Sequence, residues 1–157
     1  MGLPKHQADE AAVAQAPATQ LSLALYTAGN RMVRLHRPIL DPLGLTFPQY
    51  LVLLELFANT PRTVGDLGSR VGMDAGTITP LLKRLETAGK VTRMRDKQDE
   101  RRVLIDLTAA GERLRTAVLN VTRQVESACE LSGRELEQLR ETLDRLAHSR
   151  EQTSAVR

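Results

Sequence analysis

Residues 63–89, TVGDLGSRVGMDAGTITPLLKRLETAG, decide the fold. Thr63 is suited to cap a short helix over residues 64–71, and Gly72 is suited to end that helix in the left-handed conformation. Asp74 can cap a second short helix directly afterwards. Two short helices joined by a glycine-containing turn are the arrangement of a helix-turn-helix.

The hydrophobic period changes from helical to alternating after this stretch. Residues 91–95 and 103–107 both alternate in polarity, and they flank the charged segment DKQDERR at 96–102. Alternation on both sides of a polar turn is typical of a two-stranded hairpin. We therefore expect a wing with a basic tip beside the helix-turn-helix.

Helical patterns flank this module on both sides. Before it, apolar residues recur at spacings of three and four from Gln20 to about Leu40, and the capping-box pattern TFPQ at 46–49 opens a second helix. After it, Thr108 can cap a long helix to about residue 128, and a second capping box at 132–135 opens a final helix. The apolar stripes of the outer helices are expected to be buried against another surface, and the simplest candidate is a second copy of the chain.

The predicted fold class is mainly α with a small β-hairpin: a winged helix-turn-helix with flanking helices that form a dimerisation platform. The predicted organisation is a mobile arm over 1–17, a single domain over 18–150 and a mobile tail over 151–157. Within that domain, the winged helix-turn-helix covers about 46–108, and dimerisation helices cover about 18–41 and 109–150.

Composition narrows the possible functions. The chain has 157 residues, of which 41% are apolar and 26% are charged, and it has neither an apolar run of membrane-spanning length nor a signal-peptide pattern, so we expect a cytoplasmic protein with no membrane partner. Cys129 is the only cysteine and the three histidines are scattered, so no metal and no cofactor are expected. A pI near 9.4 with clustered cations favours a polyanionic partner.

The second short helix and the wing carry side chains suited to double-stranded DNA. Small hydroxyls near the helix start can reach base edges, cations further along can reach phosphates, and arginines on a hairpin suit a minor groove. The candidate DNA-binding residues are Thr77, Thr79, Lys83, Arg84, Arg93, Arg95, Asp99 and Arg101. Asp99 is expected to orient the Arg101 guanidinium. In isolation, Lys83, Arg84 and Glu86 are more typical of the solvated face of an amphipathic helix, and it is the basic wing beside them that favours DNA binding.

Three stretches resemble a known family. LGLTFPQYLVLLELF at 43–57, DAGTITPLLKRLETAG at 74–89 and DKQDERRVLIDLTAAG at 96–111 are similar to the MarR family of winged-helix regulators, and more narrowly to its OhrR-like, organic-hydroperoxide-sensing branch. The resemblance covers about residues 20–150. It implies a homodimer that binds a pseudo-palindromic operator as a repressor and is released by organic hydroperoxide or a small-molecule signal.

The resemblance also identifies candidate sensor positions. The reactive cysteine of that branch falls on Ser22 in LSLALY, and two tyrosines that help to hold it fall on His36 and Phe47, whereas Tyr26 is retained. A hydroxyl cannot form the sulfenic acid on which such sensing depends. Cys129 lies approximately where some members carry a second cysteine.

Two histories fit these departures. An engineered cysteine-to-serine change explains Ser22 alone, whereas natural drift explains Ser22, His36 and Phe47 together. We favour drift towards a pocket at the dimer interface, near Ser22, Tyr26, His36 and Phe47, that binds a small anionic or aromatic ligand. Without such a role, Ser22 bonds to a backbone carbonyl, His36 is a partly exposed helix residue and Cys129 is a small buried hydrophobe.

Other function classes have less support. Ser22 and His36 lie about 21 Å apart along one helix at roughly 1.5 Å per residue, too far for a nucleophile and base, so we expect no enzyme. A winged helix that binds protein instead of DNA would lack the basic wing. Activation instead of repression remains open.

Overall fold

The computed structural model describes residues 16–148, and the arm and tail predicted at the two ends lie almost wholly outside them. The first helix, α1, covers Pro17–Leu40 and continues into a 3-10 turn over Asp41–Leu43. It begins three residues before the predicted start at Gln20. Proline is accepted at the first helical position, where the N–H that it lacks has no helical acceptor.

Helix α2, Phe47–Ala58, begins at the predicted capping box. The Thr46 hydroxyl accepts the Gln49 backbone N–H at 3.4 Å, and the Gln49 side chain accepts the Thr46 backbone N–H at 2.9 Å. Most of the helix faces other elements, and its buried residues are Tyr50, Val52, Leu53, Leu56 and Phe57. This helix packs against α1 and against the two helices that follow it.

The helix-turn-helix has the predicted form. Helix α3 covers Val64–Val71, and the Thr63 hydroxyl accepts the Asp66 N–H at 3.1 Å. Gly72 ends α3 with φ of 66°, a conformation that costs a glycine little because it has no Cβ. Helix α4 then covers Ala75–Thr87.

The wing has one more strand than predicted. Strands β2, Val91–Arg95, and β3, Val103–Leu107, form the expected antiparallel hairpin, with Val91 opposite Leu107 and Arg95 opposite Val103. A two-residue strand β1, Arg62–Thr63, pairs with the other edge of β3 and gives the order β1-β3-β2. The predicted hairpin is present, and the sequence did not reveal β1 because two residues are too few to show alternation.

The helix predicted to run unbroken from Thr108 is also divided. Helix α5 covers Ala109–Arg113 and helix α6 covers Arg115–Ala128. Between them, the Leu114 N–H bonds to the Gly111 carbonyl three residues back, at 3.1 Å, so one tight turn replaces the α-helical bond. The last described helix, α7, covers Gly133–His148.

The chain divides into two compact units at the Val121–Thr122 junction. The first unit contains α1 to α5, the sheet and the start of α6, and its core side chains come from every one of the larger elements. The fully buried ones include Leu40, Leu53, Leu56, Leu67, Ile78, Leu82, Leu85, Ile105 and Val118. The second unit contains the rest of α6 and α7, and α7 has no buried residue. The predicted fold class, mainly α with a small sheet in a winged helix-turn-helix, is confirmed.

Candidate nucleic-acid interface and sensor region

Helix α4 has one buried face and one exposed face. Ile78, Leu81, Leu82 and Leu85 are buried in the core. Thr77, Lys83 and Arg84 are exposed on the other side, whereas Thr79 is half-buried. The exposed face therefore offers a hydroxyl near the helix start and two cations one to two turns later, the order that a recognition helix needs.

Asp74 fixes the start of α4. Its carboxylate accepts the Thr77 backbone N–H at 2.8 Å, and this hydrogen bond lowers the pKa of Asp74 from its ordinary value. The carboxylate stays ionised there, which also suits the positive end of the helix dipole. Thr77 is thus placed by its backbone, and its side chain is left exposed.

The wing tip is a compact turn held by two aspartates. The Asp96 carboxylate accepts the Gln98 N–H at 2.9 Å, and the Asp99 carboxylate accepts the Arg101 backbone N–H at 3.1 Å. The expectation that Asp99 grips the Arg101 guanidinium was wrong, because the backbone N–H two residues on is the nearer donor. The Arg101 guanidinium has no partner among the described residues, so it is free to meet a ligand.

Arg93 differs from the other wing cations. Its side chain is only 20% exposed, and its Nη1 lies 3.6 Å from Glu86 Oε2 on α4. Its Nε is buried and has no hydrogen-bond partner among the described residues. Arg95, two residues further along the same strand, is exposed.

The predicted sensor residues do not form one site within this chain. His36 and Phe47 meet, with ring centroids 4.7 Å apart, and Tyr50 lies 5.0 Å from His36. Ser22 and Tyr26 are exposed on α1, and Tyr26 is about 15 Å from His36 along the helix at roughly 1.5 Å per residue. Cys129 is half-buried and follows the last residue of α6.

His36 is more enclosed than expected. It is 5% exposed, and its Nδ1 lies 2.8 Å from the Met32 carbonyl oxygen one turn back. The expectation of a partly exposed histidine was wrong, because the α2 rings of Phe47 and Tyr50 cover it. The sequence signal for Tyr50 was its position three residues after Phe47, which puts both on one face of α2.

A cavity of about 370 Å³ adjoins this aromatic cluster. Its lining comes from the end of α1 and the start of α2, and consists of Val33, Arg37, Leu40, Asp41, Leu45, Thr46, Phe47 and Pro48. Most of these side chains are apolar, and Arg37 faces Asp41 at 3.8 Å. Of the predicted sensor residues, Phe47 alone lines it. Arg37 was not a candidate at the sequence level, since one arginine on an exposed helix carries no distinguishing pattern.

None of the helices in residues 16–148 is by itself long and apolar enough to cross a membrane.

Comparisons with known proteins identify relatives that are transcriptional regulators. A model of the family described as transcriptional regulator SarA/Rot matches residues 34–118. The organic hydroperoxide resistance transcriptional regulator of Bacillus subtilis is 40% identical over 124 residues, covering 79% of this chain and 84% of that protein.

Solved structures give the same result. Reduced AbfR of Staphylococcus epidermidis bound to DNA is 34% identical with a TM-score of 0.67, covering 83% of this chain and 95% of that one. A MarR-family regulator from Rhodococcus sp. RHA1 is 27% identical with a TM-score of 0.75, covering 85% of this chain and 96% of that one. The chain belongs to the MarR family of winged-helix transcriptional regulators.

Proposed function

We propose that the protein is a homodimeric repressor that binds a pseudo-palindromic double-stranded DNA operator and is released by a small-molecule effector. One observation carries the DNA-binding part: exposed cations on α4 and the wing have no acidic partner within the described residues. They are Lys83, Arg84, Arg95 and Arg101. Unpaired cations on the two elements that enter DNA grooves in winged helices are suited to phosphates and groove edges.

A DNA titration tests this. The intergenic DNA beside the protein's own gene, with a shuffled duplex as control, is titrated at several salt concentrations and followed by fluorescence anisotropy. We expect tighter binding to the intergenic duplex and a steep loss of affinity with salt, because phosphate contacts release counterions. Equal affinity for both duplexes, or a flat salt response, would contradict the assignment.

The dimer is supported by apolar side chains that α1 leaves exposed: Leu21, Leu23, Leu25, Tyr26, Met32 and Val33. They lie on two sides of the helix, and so many exposed large apolar side chains on one helix are typical of an interface between copies. Light scattering should give twice the chain mass for the wild-type protein. Leu23→Glu should dissociate the dimer, and Gln98→Glu, which adds the same charge to an exposed position of the wing tip, should not.

The effector is proposed to bind the cavity beside Phe47. Its apolar walls and the Arg37 guanidinium suit an aromatic molecule with a carboxylate. Benzoate should raise the melting temperature and weaken DNA binding, whereas benzyl alcohol, the uncharged control, should do so less. Arg37→Gln should remove the difference between the two probes. Identical responses of wild-type protein to both probes would exclude recognition of a carboxylate.

Release by organic hydroperoxide is the second candidate, favoured by the 40% identity to the Bacillus subtilis regulator. We infer that Ser22 stands at the position of a reactive cysteine, and it is exposed. DNA release by cumene hydroperoxide is measured for the wild-type protein, Ser22→Cys and Cys129→Ser. If Ser22→Cys alone releases DNA, the residues around the sensor position are retained and the wild-type protein lacks only the reactive thiol. Release of the wild-type protein but not of Cys129→Ser would make Cys129 the sensor, and no release in any form would leave the small-molecule effector.

A further inference from the structure

A second cavity, which we call the anion cleft, lies where the helix-turn-helix meets the wing. It measures about 320 Å³. The start of α3, the half-buried side of α4 and both wing strands contribute to it. Its polar and backbone-accessible lining residues are Thr63, Gly65, Thr79, Arg93, Arg101 and Arg102.

The lining of the anion cleft is strongly positive. Three of its residues are arginines and none is acidic. Two of the three arginines have a carboxylate partner, with Glu86 3.6 Å from Arg93 and Asp96 4.0 Å from Arg102. Three guanidinium groups paired with two carboxylates leave one excess positive charge, and like charges that converge repel one another unless an anion lies between them.

Arg93 supplies an independent observation. Its Nε is buried and has no hydrogen-bond partner among the described residues, although its side chain lines the anion cleft. A buried N–H donor without an acceptor is rare in folded proteins. An oxyanion in the anion cleft would supply acceptors to the same side chain.

The backbone at the cleft also fits an anion. Thr63 caps α3, so the cleft borders the positive end of a helix dipole. Gly65, in the first turn of that helix, has nothing within 4 Å of the position of a Cβ, so the lining leaves open space beside its backbone. Thr79 adds a hydroxyl that can donate to an oxyanion.

We propose that the anion cleft binds one phosphodiester group of the operator backbone, and that Thr79 and Arg102 contact this phosphate. The inference rests on the proposed DNA binding and assigns Thr79 to backbone contact instead of base readout. Recognition of bases is left to Thr77, which is exposed on the same helix. A DNA strand whose phosphate lies in the anion cleft contacts the wing and α4 at the same time.

Two variants test the assignment by affinity. Thr79→Val and Arg102→Gln should weaken binding to the intergenic duplex and to its shuffled control by the same factor, since phosphate contacts carry no sequence information. Arg102→Gln should also reduce the salt slope by about one unit. Thr77→Val should change the ratio of the two affinities. Arg113→Gln, which removes an equal charge outside the cleft, is the matched control.

Single methylphosphonate linkages, placed one at a time along the bound duplex, locate the phosphate. For the wild-type protein, every contacted phosphate position should lose affinity when it is neutralised, and at one of these positions in each half-site Arg102→Gln should show no further loss. Arg113→Gln should respond as the wild-type protein does. Equal losses in the wild-type protein and Arg102→Gln at every position would overturn the proposal while leaving DNA binding intact. Failure of the wild-type protein to bind the intergenic duplex would overturn the proposed function itself. Inorganic phosphate, titrated without DNA, would then test a free anion as the occupant.

Discussion

Gly68 sets the separation of the two helices of the helix-turn-helix. It is buried on α3, and a Cβ built on it lies 2.7 Å from the Met73 carbonyl oxygen in the turn. The Gly68 carbonyl itself accepts the Met73 N–H at 2.8 Å. A methyl group at this position must therefore push apart a hydrogen-bonded turn made of backbone, which cannot move aside as a flexible side chain does.

Gly68→Ala and Gly65→Ala form a matched pair that isolates this contact. Both exchanges put alanine into α3 in place of glycine, which favours a helix by roughly 0.5–1 kcal/mol in its interior. A Cβ at Gly65 has nothing within 4 Å. The propensity gain is smaller at Gly65, in the first turn, than at Gly68, but overpacking, which costs about 1–3 kcal/mol at Gly68 alone, outweighs this difference. We expect Gly68→Ala to be less stable than Gly65→Ala by about 1–3 kcal/mol.

Urea unfolding followed by circular dichroism measures the difference at equal chain concentration, because the stability of the proposed dimer would depend on concentration. In thermal unfolding, the same difference corresponds to roughly 2–12 °C for a chain of this length. The unfolding slope should be unchanged between the two variants. A Gly68→Ala variant as stable as Gly65→Ala would refute the reasoning, since it would show that the turn accommodates a methyl group without cost.

Three further predictions concern the wing, a helix cap and acid stability. Arg101→Ala should strongly weaken DNA binding with an unchanged urea midpoint, whereas Arg113→Ala should have little effect on binding; equal losses would mean that charge alone matters. Thr46→Ala removes the cap of α2 and should lower the free energy of unfolding by about 0.5–2 kcal/mol in urea titrations. The hydrogen bond from Arg62 is the chief cause that lowers the pKa of Asp66 from its ordinary value of 3.8, so the ionised carboxylate stabilises the fold. This contribution to the free energy of unfolding is complete above pH 3.8 and is lost as the pH falls through the lowered pKa. The acid limb of a urea-midpoint profile should be flatter for Asp66→Asn than for the wild-type protein.

The local signals in the sequence predicted the elements well. Capping residues act on backbone N–H groups only three positions away, so the capping boxes at Thr46 and Ser132 can be predicted from the sequence alone. Both form in the structure. The left-handed end of α3 at Gly72 follows from the same kind of local reasoning. The hairpin could be predicted because polar and apolar residues alternate over five positions on each side of the turn, which is the period of a strand and not of a helix.

Features that depend on distant contacts could not be predicted in this way. Strand β1 exists because Arg62 and Thr63 lie against β3, more than forty positions along the chain. His36 is buried because two rings from α2 cover it, and its own helix gives no sign of this. The anion cleft joins residues from four separate segments, so Arg102 appeared in the sequence only as one more cation in a basic tip.

The aspartates of the wing tip explain how an acidic turn can serve an interface that favours cations. A carboxylate beside DNA is repelled by phosphates, and a hydrogen bond from a neutral N–H leaves its charge in place, so the two aspartates are compatible with DNA only because more cations than carboxylates lie on the wing. Each aspartate accepts a backbone N–H two residues on, and the turn closes with the Asp96 N–H bonded to the Arg102 carbonyl at 2.9 Å. Because Asp99 is used by the backbone of Arg101, it does not neutralise the guanidinium. The spacing of the two aspartates and the arginine thus gives a rigid tip. The backbone of Arg101 is held in place there, and its guanidinium remains free.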